Sequence, residues 1–218
     1  VLPGLFVSFL YNASGGALLR WARDTFARRE KLELAAQNQD VYDLLMAEMP
    51  EAPTSLLALP HFGPCGPPTF ETDTSGVILG LKLETSRGEL IKGLLEGMTY
   101  YFKEGVDLLA QAGLAVDEYR ATGGGSRSPA WLQLSADILG QPIVQVEVSE
   151  CGVVGAAILA GVGIGEFSSA AETAAQVVHV ARRYEPSPTR FAEYQQRMEL
   201  YKSLYPLLGD TLRALNKF

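Results

Sequence analysis

Residues 121–140 of the chain read ATGGGSRSPAWLQLSADILG. A short β segment over 118–122 runs into three consecutive glycines, Gly123, Gly124 and Gly125, and a helix over about 129–139 follows. Pro129 suits the first helical position, where a main-chain N–H would have no intrahelical acceptor. Gly140 supplies the stop, and Pro142 opens a second strand over 143–148. Residues 152–163 are apolar and rich in Ala and Gly, which predicts a buried helix. Strand, glycine turn, helix, strand and buried helix over 118–163 make one compact unit, and strands alternating with helices set an α/β class.

The glycine turn has two readings. Without a Cβ, the backbone can approach a ligand closely and adopt positive φ. The leading N–H groups of the turn and of the helix then face an anion. Ser126 and Ser128 add hydroxyls and Arg127 adds a positive charge. The same residues also make a tight strand-to-helix connection in which glycine serves geometry alone.

Working outward, a second glycine turn lies at residues 12–20, NASGGALLR, after a strand expected over 5–10. The helix after it runs over about 17–28, with Leu18, Leu19, Trp21, Ala22 and Phe26 on its apolar side. Two glycine-led helix starts favour a phosphate-cradling cleft, with Gly16 and Arg20 as candidates. The alternative is a packing turn with a solvated arginine. A helix over 40–49 has Asp40 as N-cap and Pro50 as its end. Residues 50–76 are rich in Pro, Gly and Thr and predict a long ordered loop, or a short strand with excursions. A short strand or turn segment follows over 76–81. The longest helical pattern covers 89–112 and stops at Gly113. Residues 168–181 are weakly helical, and a closing amphipathic helix over 190–216 is open to a break near Pro206. No linker divides the chain.

Composition excludes several classes. The 218 residues carry a formal net charge of −7, so a general nucleic-acid or anionic-membrane binder is not expected. Cys65 and Cys151 are far apart and read as reduced cytosolic thiols. His61 and His179 are the two histidines, which argues against a zinc site or a Ser-His-Asp hydrolase. GxxxxGK[ST], HExxH and GxSxG are absent. The longest uncharged run, 151–165, is shorter than the roughly 20 apolar residues of a membrane span. No secretory signal pattern stands at the start, and Val1 inside an apolar run suggests a piece of something longer.

Five segments, in order, resemble the C-terminal half of the FGGY carbohydrate kinases. NASGGALLRWARDTF resembles that family's "aGgslrWlrD", and LPHFGPCGPPTF with SGVILGL resembles "lPyl.GerxP…rGxfxGl". ELIKGLLEGMTYYFKEGVDLL is similar to "xxraxlEGxaxxxrdxxdxl". GGGSRSPAWLQLSADILGQPI resembles "GGGaxsxxWxQxxADxlgxpV", and GVVGAAILAGVGIGEF resembles "xalGAAxlAaxgxGxf". Arg20 departs from a more usual neutral residue, and Cys151 and Val154 stand in unusual places.

The resemblance implies an actin-like ATPase (ribonuclease H-like) fold, the C-terminal half of a two-domain sugar kinase lacking its first strands, with residues 1–218 as the partial ATP-binding domain. The strand over 5–10 is then an exposed edge and an aggregation risk. The resemblance further implies in-line transfer of the ATP γ-phosphate to a sugar or polyol hydroxyl, with Mg²⁺ bridging the phosphates and an Asp as base. Gly123, Gly124, Gly125 and Ser128 would meet the adenine and phosphate end of ATP or ADP, and Gly16 and Arg20 the phosphates and ribose. The base, the phosphate turn and most sugar contacts would lie before Val1, so the fragment alone is expected to be inactive. None of Asp24, Asp40, Asp73 or Asp107 sits in a base-like motif. A xylulose-like ketopentose is the expected acceptor, with glycerol, ribitol, erythritol, ribulose or gluconate as alternatives. A non-catalytic partner-binding module of the same fold is the rival. A cytoplasmic location follows, and residues 50–76 with the last helix are candidates for a homodimer or interdomain face.

Overall fold

The structure, a computed structural model, describes residues 6–148 and 150–218. In chain order the elements are α1 (Gly15–Phe26), α2 (Arg28–Ala35), α3 (Val41–Ala47), β1 (Leu57–Leu59), β2 (Val77–Leu79), α4 (Arg87–Gln111), β3 (Tyr119–Ala121), a 3-10 turn (Gly124–Arg127), α5 (Pro129–Leu139), β4 (Ile143–Val146), α6 (Cys151–Gly163), α7 (Ala170–Val177), β5 (Val180–Tyr184) and α8 (Pro188–Leu215). They fall into two compact units, residues 1–115 with 192–218 and residues 116–191.

The first unit is organised around α4. Its start is a capping box: Ser86 Oγ accepts from the Glu89 N–H at 3.2 Å, and the Glu89 carboxylate accepts from the Ser86 N–H at 2.8 Å. Every residue from 91 to 101 is buried, so this stretch is wrapped on all sides. β1 lies directly on it, since a Cβ at Gly97 would stand 2.2 Å from the Ala58 carbonyl oxygen. β1 pairs with β2 antiparallel, Leu57 opposite Leu79. Two charged α4 side chains serve this packing. Lys92 Nζ donates to the carbonyls of Pro50, Glu51 and Ala52 at 2.7, 2.8 and 2.9 Å. Glu96 accepts from the Thr54 N–H at 3.1 Å, the Thr54 hydroxyl at 2.7 Å and the Tyr194 hydroxyl at 3.2 Å, and burial pushes its carboxyl pKa up. From α8, Tyr194, Met198, Tyr201, Leu204 and Leu212 are buried at helical spacing.

The second unit is a three-stranded sheet in the order β3-β4-β5. β3 and β4 are parallel, Tyr119 opposite Ile143, and β5 returns antiparallel, Ile143 opposite Tyr184. The crossover helix α5 covers the sheet through Leu132 and Ala136, packed with Ile143, Tyr184, Tyr119, Ala121 and Leu139. Gly140 takes φ +71° and ends α5 where the sequence places the stop.

Several expectations are corrected. No strand ladder forms over residues 6–10; the expected strand also included Leu5, outside the described residues, and Asn12 makes only an isolated bridge to Cys65. An apolar run becomes a strand only with a partner alongside, and Phe6 and Phe9 stay exposed. α6 forms as expected but is not buried: only Ile158 and Gly161 are, while Val153, Leu159 and Ile164 face outward. The last two residues of the helical stretch expected over 168–181 belong instead to β5, which spans 180–184, and α7 stops at Val177. The strand expected to reach 148 ends at Val146, where a register shift lies. α8 runs unbroken through Pro206, because Leu204, Gly209 and Leu212 anchor the helix on both sides of the lost hydrogen bond. α2 was not expected; its sequence RREKLELA has no apolar face, and a 2.6 Å Arg29–Glu33 pair laces it instead. Among the described residues no helix is long and apolar enough to cross a membrane.

Candidate functional site

The three glycines after β3 do different jobs. Gly123 has φ +77° and ψ −170°, a conformation essentially restricted to glycine. A Cβ at Gly125 would stand 2.8 Å from a ring carbon of Trp131, one turn into α5. Gly124 has neither constraint: its φ is ordinary and nothing lies within 4 Å of a Cβ built there. The chain's own packing therefore accounts for glycine at 123 and 125 and leaves 124 to whatever approaches from outside.

The turn is held rigidly from behind. The Ser126 N–H and hydroxyl both donate to the Gly123 carbonyl, at 3.1 and 2.7 Å. Gln145 Nε2, from β4, donates to the Ser126 carbonyl at 2.8 Å. Ser128 Oγ accepts from the Trp131 N–H at 3.3 Å, so the candidate ligand-binding hydroxyl is also the N-cap of α5. Gly124 is exposed at the surface where the 3-10 turn opens, just ahead of the capped start of α5, the helix end that favours negative charge. Behind this surface, Gln133 Nε2 donates to Asp137 at 3.0 Å and to the Glu185 carbonyl at 2.8 Å, and Asp137 accepts from the Ser187 N–H at 2.8 Å. Gln133 and Asp137 thus fasten the second unit and are positioning residues.

In the first unit the other glycine turn opens α1. Asn12 organises it: its Oδ1 accepts from the Ser14 N–H at 2.8 Å and its Nδ2 donates to the Pro60 carbonyl at 3.1 Å. The sequence showed only a turn signal here; the Asx hydrogen bond was available from the Asn-x-Ser spacing. Gly16 is exposed, with nothing within 4 Å of a Cβ. Arg20 is exposed and makes no hydrogen bond or ion pair among the described residues.

The remaining candidates have structural occupations. Asp24 is paired with Arg23 and Lys31 at 2.8 Å each, Asp40 caps α3 through the Tyr42 N–H at 2.9 Å, and Lys103 holds Asp107 at 2.8 Å. His179 is exposed, whereas His61 is buried in the first unit. Among the described residues no three His, Cys, Asp or Glu side chains gather into a metal-ligating group.

A model of the FGGY family of carbohydrate kinases, C-terminal domain, matches residues 2–164. The chain is similar to the xylulose kinase of Bacillus subtilis (strain 168), 28% identical over 98% of this chain and 41% of that protein. It is also similar to the glycerol kinase of Stenotrophomonas maltophilia (strain K279a), 31% identical over 90% of this chain and 37% of that protein. Among solved structures, ligand-bound xylulose kinase from Lactobacillus acidophilus superposes with a TM-score of 0.77 at 24% identity, over 93% of this chain and 40% of that one. The chain spans about two fifths of the length of these proteins.

Proposed function

The chain belongs to the FGGY family of carbohydrate kinases, and on that premise we propose that it forms the nucleotide-binding C-terminal domain of a cytoplasmic kinase, across residues 1–218. The kinase transfers the γ-phosphate of ATP to a hydroxyl of a sugar or polyol. The hydroxyl oxygen attacks the γ-phosphorus, the bond to the ADP oxygen breaks, and the hydroxyl proton passes to a base. No residue of this chain is assigned as that base.

The observation that carries the reading is Gly124, a glycine that nothing in the chain itself requires, set between a conformationally obligatory Gly123 and a sterically obligatory Gly125. Gly123, Gly124, Gly125 and Ser128 are the proposed nucleotide-binding residues of the second unit, and Gly16 and Arg20 those of the first. Mg²⁺ accompanies the nucleotide phosphates and supplies charge neutralisation; no side chain here is assigned to it. We take the acceptor to be a ketopentose of the xylulose type, supported by similarity to a xylulose kinase over 98% of the chain.

The test is calorimetric titration of the chain with Mg-ADP beside Gly124→Glu. Saturable binding that the variant loses by at least about tenfold is expected, since a charged side chain there meets the phosphates. Unchanged affinity in a folded variant would overturn the assignment. In the kinase that carries this chain, D-xylulose is expected to give a higher kcat/KM than glycerol, ribitol or gluconate.

A further inference from the structure

β4 is the central strand of the second unit's sheet, and its sequence IVQV sets one polar side chain, Gln145, among apolar neighbours. Gln145 lies opposite Ala121, the last residue of β3, one strand away from the start of the glycine turn. Side chains alternate along a strand, so Gln145 shares the α5 face of the sheet with Ile143, which packs with Leu132 and Ala136. Both ends of the Gln145 amide are engaged. Nε2 donates to the Ser126 carbonyl at 2.8 Å, 19 residues earlier in the chain, and Oε1 accepts from the Tyr184 hydroxyl at 3.4 Å. A carbonyl only accepts, so the amide nitrogen must face Ser126, which leaves the amide oxygen to the tyrosine.

This anchor reaches the candidate site through the backbone. Ser126 is buried, and its N–H and hydroxyl both hold the Gly123 carbonyl. The Gly123–Gly124 peptide is planar and trans, so a carbonyl turned toward Ser126 turns the Gly124 N–H the opposite way. That N–H donates to no acceptor among the described residues, and Gly124 is exposed. Glycine has the widest backbone freedom of any residue, so three in a row keep one geometry only where neighbouring contacts fix them.

We propose that Gln145 is a positioning residue for nucleotide binding: by holding Ser126 it fixes the Gly123 carbonyl and so aims the Gly124 N–H at an oxygen of the nucleotide. The inference rests on the nucleotide reading of the glycine turn and adds to it a residue outside that turn. Gln145 itself touches no ligand. An apolar residue at 145 would suit a central strand as well, and only the amide links the sheet to the turn. A turn that must be ordered on binding loses affinity by the cost of that ordering, whereas one fixed beforehand does not. Tyr184 stands a step further back. Its ring is held in the core beside Leu132 and Ile143, with the Arg182 guanidinium 4.9 Å from the ring centroid, and its hydroxyl sets which way the Gln145 amide faces.

The probe is Mg-ADP, titrated calorimetrically into the chain and into Gln145→Met, which keeps the side-chain length and removes the amide. Affinity is expected to fall about fivefold to tenfold, with the melting temperature nearly unchanged. Gln145→Asn, polar but one methylene too short to reach Ser126, is expected to lose as much, and it carries the test if Gln145→Met does not fold. Tyr184→Phe is expected to weaken binding about twofold in the parent and to add nothing in Gln145→Met, because the hydroxyl acts through the amide. In the kinase that carries this chain, the KM for ATP should rise in Gln145→Met while the KM for the sugar acceptor stays put, a split that a loss of folded protein does not produce. Parental affinity in both Gln145 variants, or an equal effect of Tyr184→Phe in the parent and in Gln145→Met, overturns this inference and leaves the nucleotide reading standing. A folded parent chain that binds no Mg-ADP overturns the nucleotide reading and this inference with it.

Discussion

Asp137 accepts the main-chain N–H of Ser187 at 2.8 Å, across 50 residues of sequence, and so ties α5 to the segment that follows β5. The same carboxylate oxygen takes an amide proton of Gln133 at 3.0 Å. Through Gln133 and Asp137, the WLQLSAD stretch acts as a fastening. Asp137→Ala leaves both donors without their acceptor and is expected to cost about 1–3 kcal/mol, whereas Asp137→Asn keeps an oxygen in place and costs less. Urea denaturation of the two variants separates these values.

The three glycines after β3 are expected to respond differently to alanine. Gly123→Ala forces an L residue into a glycine-only conformation and should cost about 1–3 kcal/mol. Gly125→Ala must displace the Trp131 ring and is also destabilising. Gly124→Ala meets nothing and should stay within about 0.5 kcal/mol of the parent. Thermal melts of the three variants give the order; a Gly124→Ala as damaging as Gly123→Ala would remove the basis for reserving that position for a ligand.

Burial lowers the His61 pKa from 6.5 to about 4, with Glu71 opposing. The unfolded chain takes up a proton near pH 6.5 that the folded chain refuses until about pH 4. Stability from this group is therefore complete above pH 6.5 and is lost as pH falls toward 4, by an amount on the order of 3 kcal/mol. His61→Phe is expected to flatten that part of the profile, measured by denaturant unfolding between those two pH values.

Arg87 joins three elements. Its guanidinium pairs with Glu30 and Glu48, with Nε 2.8 Å from Glu48, and donates to the Phe26 carbonyl at 3.1 Å. The side chain is 25% exposed, so solvent screens part of the attraction. Arg87→Met is expected to cost about 1–2 kcal/mol at low salt. The difference from the parent should shrink in about 1 M NaCl, where the screening length falls to about 3 Å; a salt-independent difference would assign the effect to packing alone.

Local signals carried far in this chain. Pro129 and Gly140 bracket α5 at its observed limits, and Asp40 and Gly113 mark the start of α3 and the stop after α4, because capping and left-handed turns depend on a few neighbouring atoms. β5 escaped notice because VARRY has no apolar alternation and exists as a strand only by pairing with β4. α2 escaped notice because its support is charge pairing rather than an apolar stripe. The candidate site was legible as a glycine turn, yet the division of labour among its glycines was not, since it depends on where the Trp131 ring comes to rest.

What the sequence determined by itself is the class, the start of α3, the stop after α4, both ends of α5 and the order of segments that marks the FGGY family, all written in short-range periodicity and turn chemistry. Only the tertiary structure decided that Gly124 alone of its triplet is constrained by neither φ nor a neighbouring side chain, that an all-apolar α6 lies largely exposed, and that His61 sits buried with neither ring nitrogen hydrogen-bonded. Each of these depends on which residues, distant in sequence, are brought within a few ångströms, and burial and hydrogen-bond satisfaction are properties of that assembly rather than of any local stretch.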